Sequence, residues 1–237
     1  GTLTGQDVGV VAVRGVDGDR VSLTSAALRN AGANVTGVLW LESPWKLEDK
    51  GDVTALAGAI GSSSRKPTTL RTQAWAQIAA RFAAPPVTVT TDTDDVLQAL
   101  DDAGFVSFDA PATGGEITQF PGGPFSSVVL VVGSEGDVPS DDVVIPAANA
   151  MVNESLELVV GDVYVSDAPD AGARGSAFTD LRNSALSTTV STVDDLDRPQ
   201  GPPTVALALA GLLRIPAVVG HYGLAADAVL LPDPVTS

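Results

Sequence analysis

Residues 128–132 read Val-Val-Leu-Val-Val, and that unbroken apolar run constrains the fold more than any other feature of the chain. An amphipathic helix would interrupt it every three or four residues, and a strand open to water on one side would alternate. A run this uniform belongs to a strand covered on both faces. The same pattern occurs at residues 7–13, 35–41 and 159–165. A sheet of such strands is mainly parallel and requires helices on both faces.

Helical periodicity fills the intervals. Residues 19–31 carry Val21, Ala27, Leu28 and Ala31 at mixed three and four spacing, with Gly32 as the stop. Residues 47–84 hold two helices parted by Gly61-Ser62-Ser63-Ser64, one with Leu56, Ala57 and Ile60 on its face, the other with Leu70, Trp75, Ile78 and Phe82. Thr93 ahead of Asp94 and Asp95 predicts a cap for a helix over 96–103, after which residues 105–108 read as a short strand. Ser140 ahead of Asp141 and Asp142 predicts the same for 143–158, with Pro146 near its first turn. A weak helix at 178–187, a β-prone stretch at 189–193, an apolar helix at 204–213 entered through Pro202-Pro203, and a closing strand at 229–231 complete the pattern. The expected fold is a single α/β domain over residues 1–237, a Rossmann-like or flavodoxin-like three-layer sandwich with a mainly parallel sheet.

Composition restricts the chemistry. Twenty-nine Asp and Glu against thirteen Lys and Arg give a net charge of -16 over 237 residues. Such a surface repels phosphate backbones and anionic headgroups, which excludes nucleic acid and direct membrane attachment as partners. The longest apolar stretch, 205–213, is ended by Arg214 and Pro216, well short of the ~20 residues of a membrane span. The chain has no cysteine, one histidine and one methionine. Copper(I) favours sulfur ligands and copper(II) favours imidazoles, so His221 and Met151 are the only candidate soft-metal ligands, and one of each does not build a site. Met151 falls in a helical apolar pattern and reads as core; His221 reads as a hydrogen-bonded loop residue. No cofactor is expected.

Other candidates have structural readings. The loop Arg14-Gly15-Val16-Asp17-Gly18-Asp19 follows the first strand but lacks the dinucleotide glycine pattern, and its two aspartates would repel a pyrophosphate. Ser134 follows a strand, and the order Ser134, an aspartate, then His221 is that of α/β-hydrolases, yet Val132 stands where the nucleophile turn needs glycine. A serine hydrolase is therefore the lesser alternative, and no catalytic residue is assigned. The pairs Asp94-Asp95, Asp101-Asp102, Asp141-Asp142 and Asp194-Asp195 have no calcium-loop spacing.

The run Ser191-Thr192-Val193-Asp194-Asp195-Leu196-Asp197, the apolar helix after it, and Gly220-His221-Tyr222-Gly223 resemble the C-terminal signature of the MctB family, actinobacterial envelope proteins described as copper transport outer membrane proteins. The likeness extends to Val8-Gly9-Val10-Val11, to residues 28–35 and to residues 97–105. It implies an extracytoplasmic domain in the cell envelope, periplasmic or associated with the outer membrane, with a role in copper export and resistance. Family members carry an N-terminal hydrophobic helix and a coiled coil ahead of such a domain, and membrane attachment is expected only through that anchor. Joined to the ligand count, the resemblance implies a non-enzymatic role exercised as a homo-oligomer or with a membrane-protein partner. Relatives are also associated with a membrane-bound partner in cell separation, so a regulator of that process is the alternative. The signature itself is expected to form a strand running into an acidic turn beside the last helix.

Overall fold

The computed structural model describes residues 1–84, 95–109, 124–168 and 172–230. Expectations at Thr93 and Asp94, in the glycine-rich stretch 114–123, and at Leu231 lie outside them. The first strand, β1 (Asp7–Val13), leads through α1 (Gly18–Asn30) into β2 (Asn34–Leu41). The helices α2 (Lys50–Ala59), α3 (Pro67–Ala83) and α4 (Val96–Asp102) precede β3 (Val106–Asp109). Then come β4 (Ser127–Gly133), α5 (Ser140–Asn153), β5 (Glu157–Val163), α6 (Thr179–Arg182), β6 (Ser191–Val193), α7 (Gly201–Leu212) and β7 (His221–Tyr222). Single turns of 3-10 helix occupy Ser43–Lys46, Ser176–Phe178 and Ala185–Thr188.

The seven strands form one sheet in the order β3-β2-β1-β4-β5-β6-β7. All neighbours are parallel except β2 and β3. The α/β class with a mainly parallel sheet is as the apolar runs require. Every residue of β4 is buried, which is the both-faces-covered environment its sequence demands.

Strand alternation and register assign the two faces. Gly9, aligned with Val128 and Leu158, turns toward Phe125, whose ring meets Phe82 of α3 edge-on at 5.2 Å. Gly161 points the other way, toward Leu196 at the entrance to α7. Helices α3 and α5 pack together on the first face, and α1 and α7 on the second. The connections β1–α1–β2 and β4–α5–β5 step toward opposite edges on opposite faces and so share a hand. The connection β6–α7–β7 steps the same way as β4–α5–β5 but on the other face, so it has the opposite hand, against the strong uniformity of such crossovers.

Several expectations are corrected. The helix expected over 143–158 stops at Asn153, because Ser155 takes a left-handed conformation (φ 60°) and turns the chain into β5. Its N-cap is Pro139 and not Ser140, with no side-chain cap bond, and Pro146 falls in the second turn and not the first. The α4 helix is capped by Asp95, whose carboxylate accepts from the Leu97 amide. His221 lies in edge strand β7 and not in a loop, while Val229 adds only one parallel bridge to Tyr222. The weak helix at 178–187 is split into α6 and a 3-10 turn.

Gly161 shows how closely α7 is fitted to the sheet: a Cβ there would come within 2.4 Å of Leu196 Cδ1, and Leu196 is fully buried. Gly161→Ala is therefore expected to cost about 1–3 kcal/mol by overpacking. Leu196→Ala is expected to cost about 2–5 kcal/mol as a cavity. Because the added methyl fills space that the second change vacates, urea unfolding of the double variant should show clearly less loss than the sum.

Candidate functional site

The signature run forms a clasp between β6 and β7. Ser191 Oγ accepts from Gly220 N at 3.1 Å, and the amides of Thr192 and Asp194 donate to the carbonyls of Gly220 and Tyr222. Asp194 is fully buried, and its Oδ1 accepts from the amides of Leu224 (2.7 Å) and Ala225 (3.1 Å). That carboxylate holds the chain as it leaves β7. Gly223 sits against it with φ 130°, where a Cβ would lie 2.2 Å from Asp194 Oδ1, so the glycine is needed both for its backbone conformation and for space.

Arg182 of α6 binds the same group from the other side. Its Nη2 donates to Asp194 Oδ2 at 3.0 Å, its Nε and Nη2 donate to Thr192 Oγ1, and its Nη1 reaches Asp227 at 2.6 Å. Thr192 Oγ1 lies 3.0 Å from His221 Nδ1. A guanidinium only donates, so the single threonine hydrogen goes to His221 Nδ1 and the imidazole carries its proton on Nε2. A hydrogen bond to the Ser187 backbone engages the ring further. Burial first, then the Arg182 charge, lowers the His221 pKa below its usual value, so the ring is neutral at pH 7.

Of the two metal candidates, Met151 is buried in α5 among core residues and His221 has its Nδ1 lone pair taken by Thr192. Among the described residues, no group of three or more His, Asp or Glu is placed to hold a metal ion. Ser134 accepts from the Val165 amide at 2.9 Å and donates to the Val165 carbonyl at 3.2 Å, so it fastens a strand end and makes no hydrogen bond to His221. Asp17 caps α1 through the Asp19 amide, and Asp142 pairs with Arg71 at 2.8 Å.

A second feature was not foreseen from the sequence. The carboxyl ends of β4 and β5, the first turn of α5 and the loop after Lys46 enclose a cleft of about 510 Å³. It lies where parallel α/β sheets gather ligands, beside the point at which the strand order reverses between β1 and β4. Arg71 builds its wall by donating to the carbonyls of Trp45 and Lys46 while pairing with Asp142 of α5. Asp162 of β5 lines the cleft and is only 3% exposed. Around it stand Asp194, Asp197, Arg174 and Arg182. Arg174 pairs with Asp197 through two bonds at 2.6 and 2.8 Å, Arg182 takes Asp194, and Gln200 donates to Asp195. No hydrogen bond is formed by the Asp162 carboxyl among the described residues. Burial, followed by the Asp194 charge, pushes its pKa up to about 7. The available signal was a lone carboxylate, Asp162, inside an otherwise apolar strand run; Arg174 and Arg182 had none, because only the fold brings them to Asp194 and Asp197.

The family model described as copper transport outer membrane protein, MctB, matches residues 1–232. The chain belongs to the MctB family. A search of curated proteins returns no match. The family description places this MctB protein in copper transport at the outer membrane, and no helix among its described residues is long and apolar enough to cross a membrane.

Two consequences are measurable. Asp194→Ala removes three acceptor contacts and leaves the buried Arg182 with only the exposed Asp227 as its carboxylate partner, so it should cost about 3 kcal/mol in urea unfolding. Amide exchange should accelerate first at residues 220–225. For Asp162, a pKa raised from 3.8 to about 7 means the folded state binds the extra proton. Stability from this group is therefore full below pH 4 and lost as pH rises to 7, by up to about 4 kcal/mol. Asp162→Asn should unfold at a higher temperature than the parent at pH 8, with the gap closing toward pH 4.

Proposed function

We propose that this MctB domain serves copper transport in the extracytoplasmic envelope without catalysing a reaction or carrying the metal, by assembling with further copies of itself through the β7 edge. One observation carries the reading. Of the six large apolar side chains exposed among the described residues, five (Ile215, Val218, Leu224, Val229 and Leu230) fall within residues 215–230. Exposed apolar groups gathered in one segment mark an interaction surface more than scattered ones do.

Charge favours the same edge. Copies carrying -16 each repel over most of their surface, and close approach is cheapest where charged groups are sparse. Residues 215–230 contain only Asp227, already paired with Arg182, and the neutral His221. The order β3-β2-β1-β4-β5-β6-β7 supports reading the sheet as a Rossmann-like one extended at this edge by β7. The occupied Nδ1 lone pair of His221 and the burial of Met151 support a role in which copper is handled by the assembly and not by this domain's side chains.

Sedimentation velocity at rising protein concentration should show reversible self-association that strengthens with added salt, as screening removes the repulsion. Ile215→Asp with Leu230→Asp should return the domain to a monomer. A species that stays monomeric at high concentration and high salt overturns the assembly reading. Titration with Cu(I) and Cu(II) should give no heat that is lost in His221→Ala or Met151→Ala; a site lost in either variant overturns the other half.

A further inference from the structure

The cleft beside Asp162 is independent of the β7 edge, and its two ends differ in electrical sign. On one side stands the first turn of α5, a fourteen-residue helix with no side-chain cap. Its backbone N–H groups and aligned dipoles favour an anionic oxygen. Among the described residues, Lys46 is the only basic one lining the cleft. On the other side stands Asp162, nine-tenths buried and without a hydrogen-bond partner among the described residues. A buried carboxyl in that condition is completed by a proton or by a cation from outside.

The neighbouring cations do not complete it. Asp162, Asp194 and Asp197 stand near Arg174 and Arg182, and these guanidiniums pair with Asp197 and Asp194, Asp197 taking Arg198 as well. A divalent metal is a poor occupant, since no three acidic or imidazole groups among the described residues converge. A phosphate-bearing ligand is also a poor one, because Glu48, Asp137, Asp141 and Asp162 outnumber Lys46 in the lining. An organic ammonium suits Asp162, and a carboxylate on the same molecule suits the α5 terminus and Lys46. Hydroxyls of Ser134, Ser140 and Ser176 line the space between. A cleft of about 510 Å³ exceeds a single amino acid and accommodates a short peptide.

We propose that the cleft binds a short zwitterionic peptide, its free amino terminus paired with Asp162 and its free carboxylate held at the start of α5 beside Lys46.

The test is calorimetric titration of the whole chain with L-alanyl-L-alanine, its N-acetyl form and its C-terminal amide. The parent dipeptide should bind saturably, and blocking either end should weaken binding at least about tenfold, the scale of losing one buried charge partner. Affinity should rise from roughly pH 6 to about 7.5, as the Asp162 proton no longer competes with the ammonium, and level off where the ligand's own amine begins to lose its proton. Asp162→Asn should lose the preference for the free amine over the N-acetyl form. Lys46→Ala should weaken the free dipeptide while narrowing its advantage over the amide. Both variants are checked for a cooperative thermal transition. Absence of saturable binding on the order of 10 mM, equal binding of the N-acetyl dipeptide, or unchanged binding by a folded Asp162→Asn variant overturns the proposal.

Discussion

The carboxylate of Asp194 holds the C-terminal third of this protein in place. It is fully buried, yet it accepts from two amides beyond β7 and from Arg182 of α6, while the backbone of the same residue bridges Tyr222 and Arg174. The strand it secures is two residues long and is reached by a crossover of the uncommon hand. Neither the length nor the connection of β7 favours its pairing. A buried ion pair gives little net stability compared with apolar packing, but it is costly to break, so it specifies one arrangement. Here the arrangement it specifies is the edge of the sheet, and with it the placing of the exposed apolar residues that follow.

Satisfying Asp194 leaves other carboxylates short. Arg182 and Arg174 each serve a partner, which leaves Asp195 Oδ1 buried without a partner among the described residues and Asp162 without any hydrogen bond among them. Proteins seldom keep such groups unless something outside the fold meets them. Asp195 has Gln200 on its other oxygen, at 3.0 Å, whereas Asp162 opens on the cleft. The pKa near 7 and the cleft are two consequences of one placement: a carboxyl on the helix-covered face of β5, at the carboxyl end of a parallel sheet.

The sequence showed the scaffold more plainly than the site. The runs at 7–13 and 127–133 are strands because uniform valine leaves no other solution, and the boundary between α2 and α3 follows from Gly61 and the serines after it. The end of α5 was misjudged because Leu156 and Leu158 continue its helical spacing, while the deciding event is the left-handed turn at Ser155. His221 was read as a loop because glycines flank it, and its strand exists only through pairing with Thr192 some thirty residues earlier. The seven-residue signature was legible as an acidic turn; what it grips was not. Its partners, Arg174, Arg182 and the amides after Gly223, lie in segments with no pattern of their own, and only the closed sheet brings them together.

The hydrogen bonds around His221 set the terms on which this histidine could meet a metal. A metal needs a lone pair, and the lone pair on His221 Nδ1 accepts the Thr192 hydrogen, which faces that way because Arg182 occupies the threonine's acceptor side. Releasing it would break the Arg182–Thr192–His221 chain that supports Asp194, and thereby the edge of the sheet. Copper capture by this histidine would thus be coupled to loosening of β7, whereas assembly through residues 215–230 requires β7 intact. The two uses of the edge therefore exclude one another.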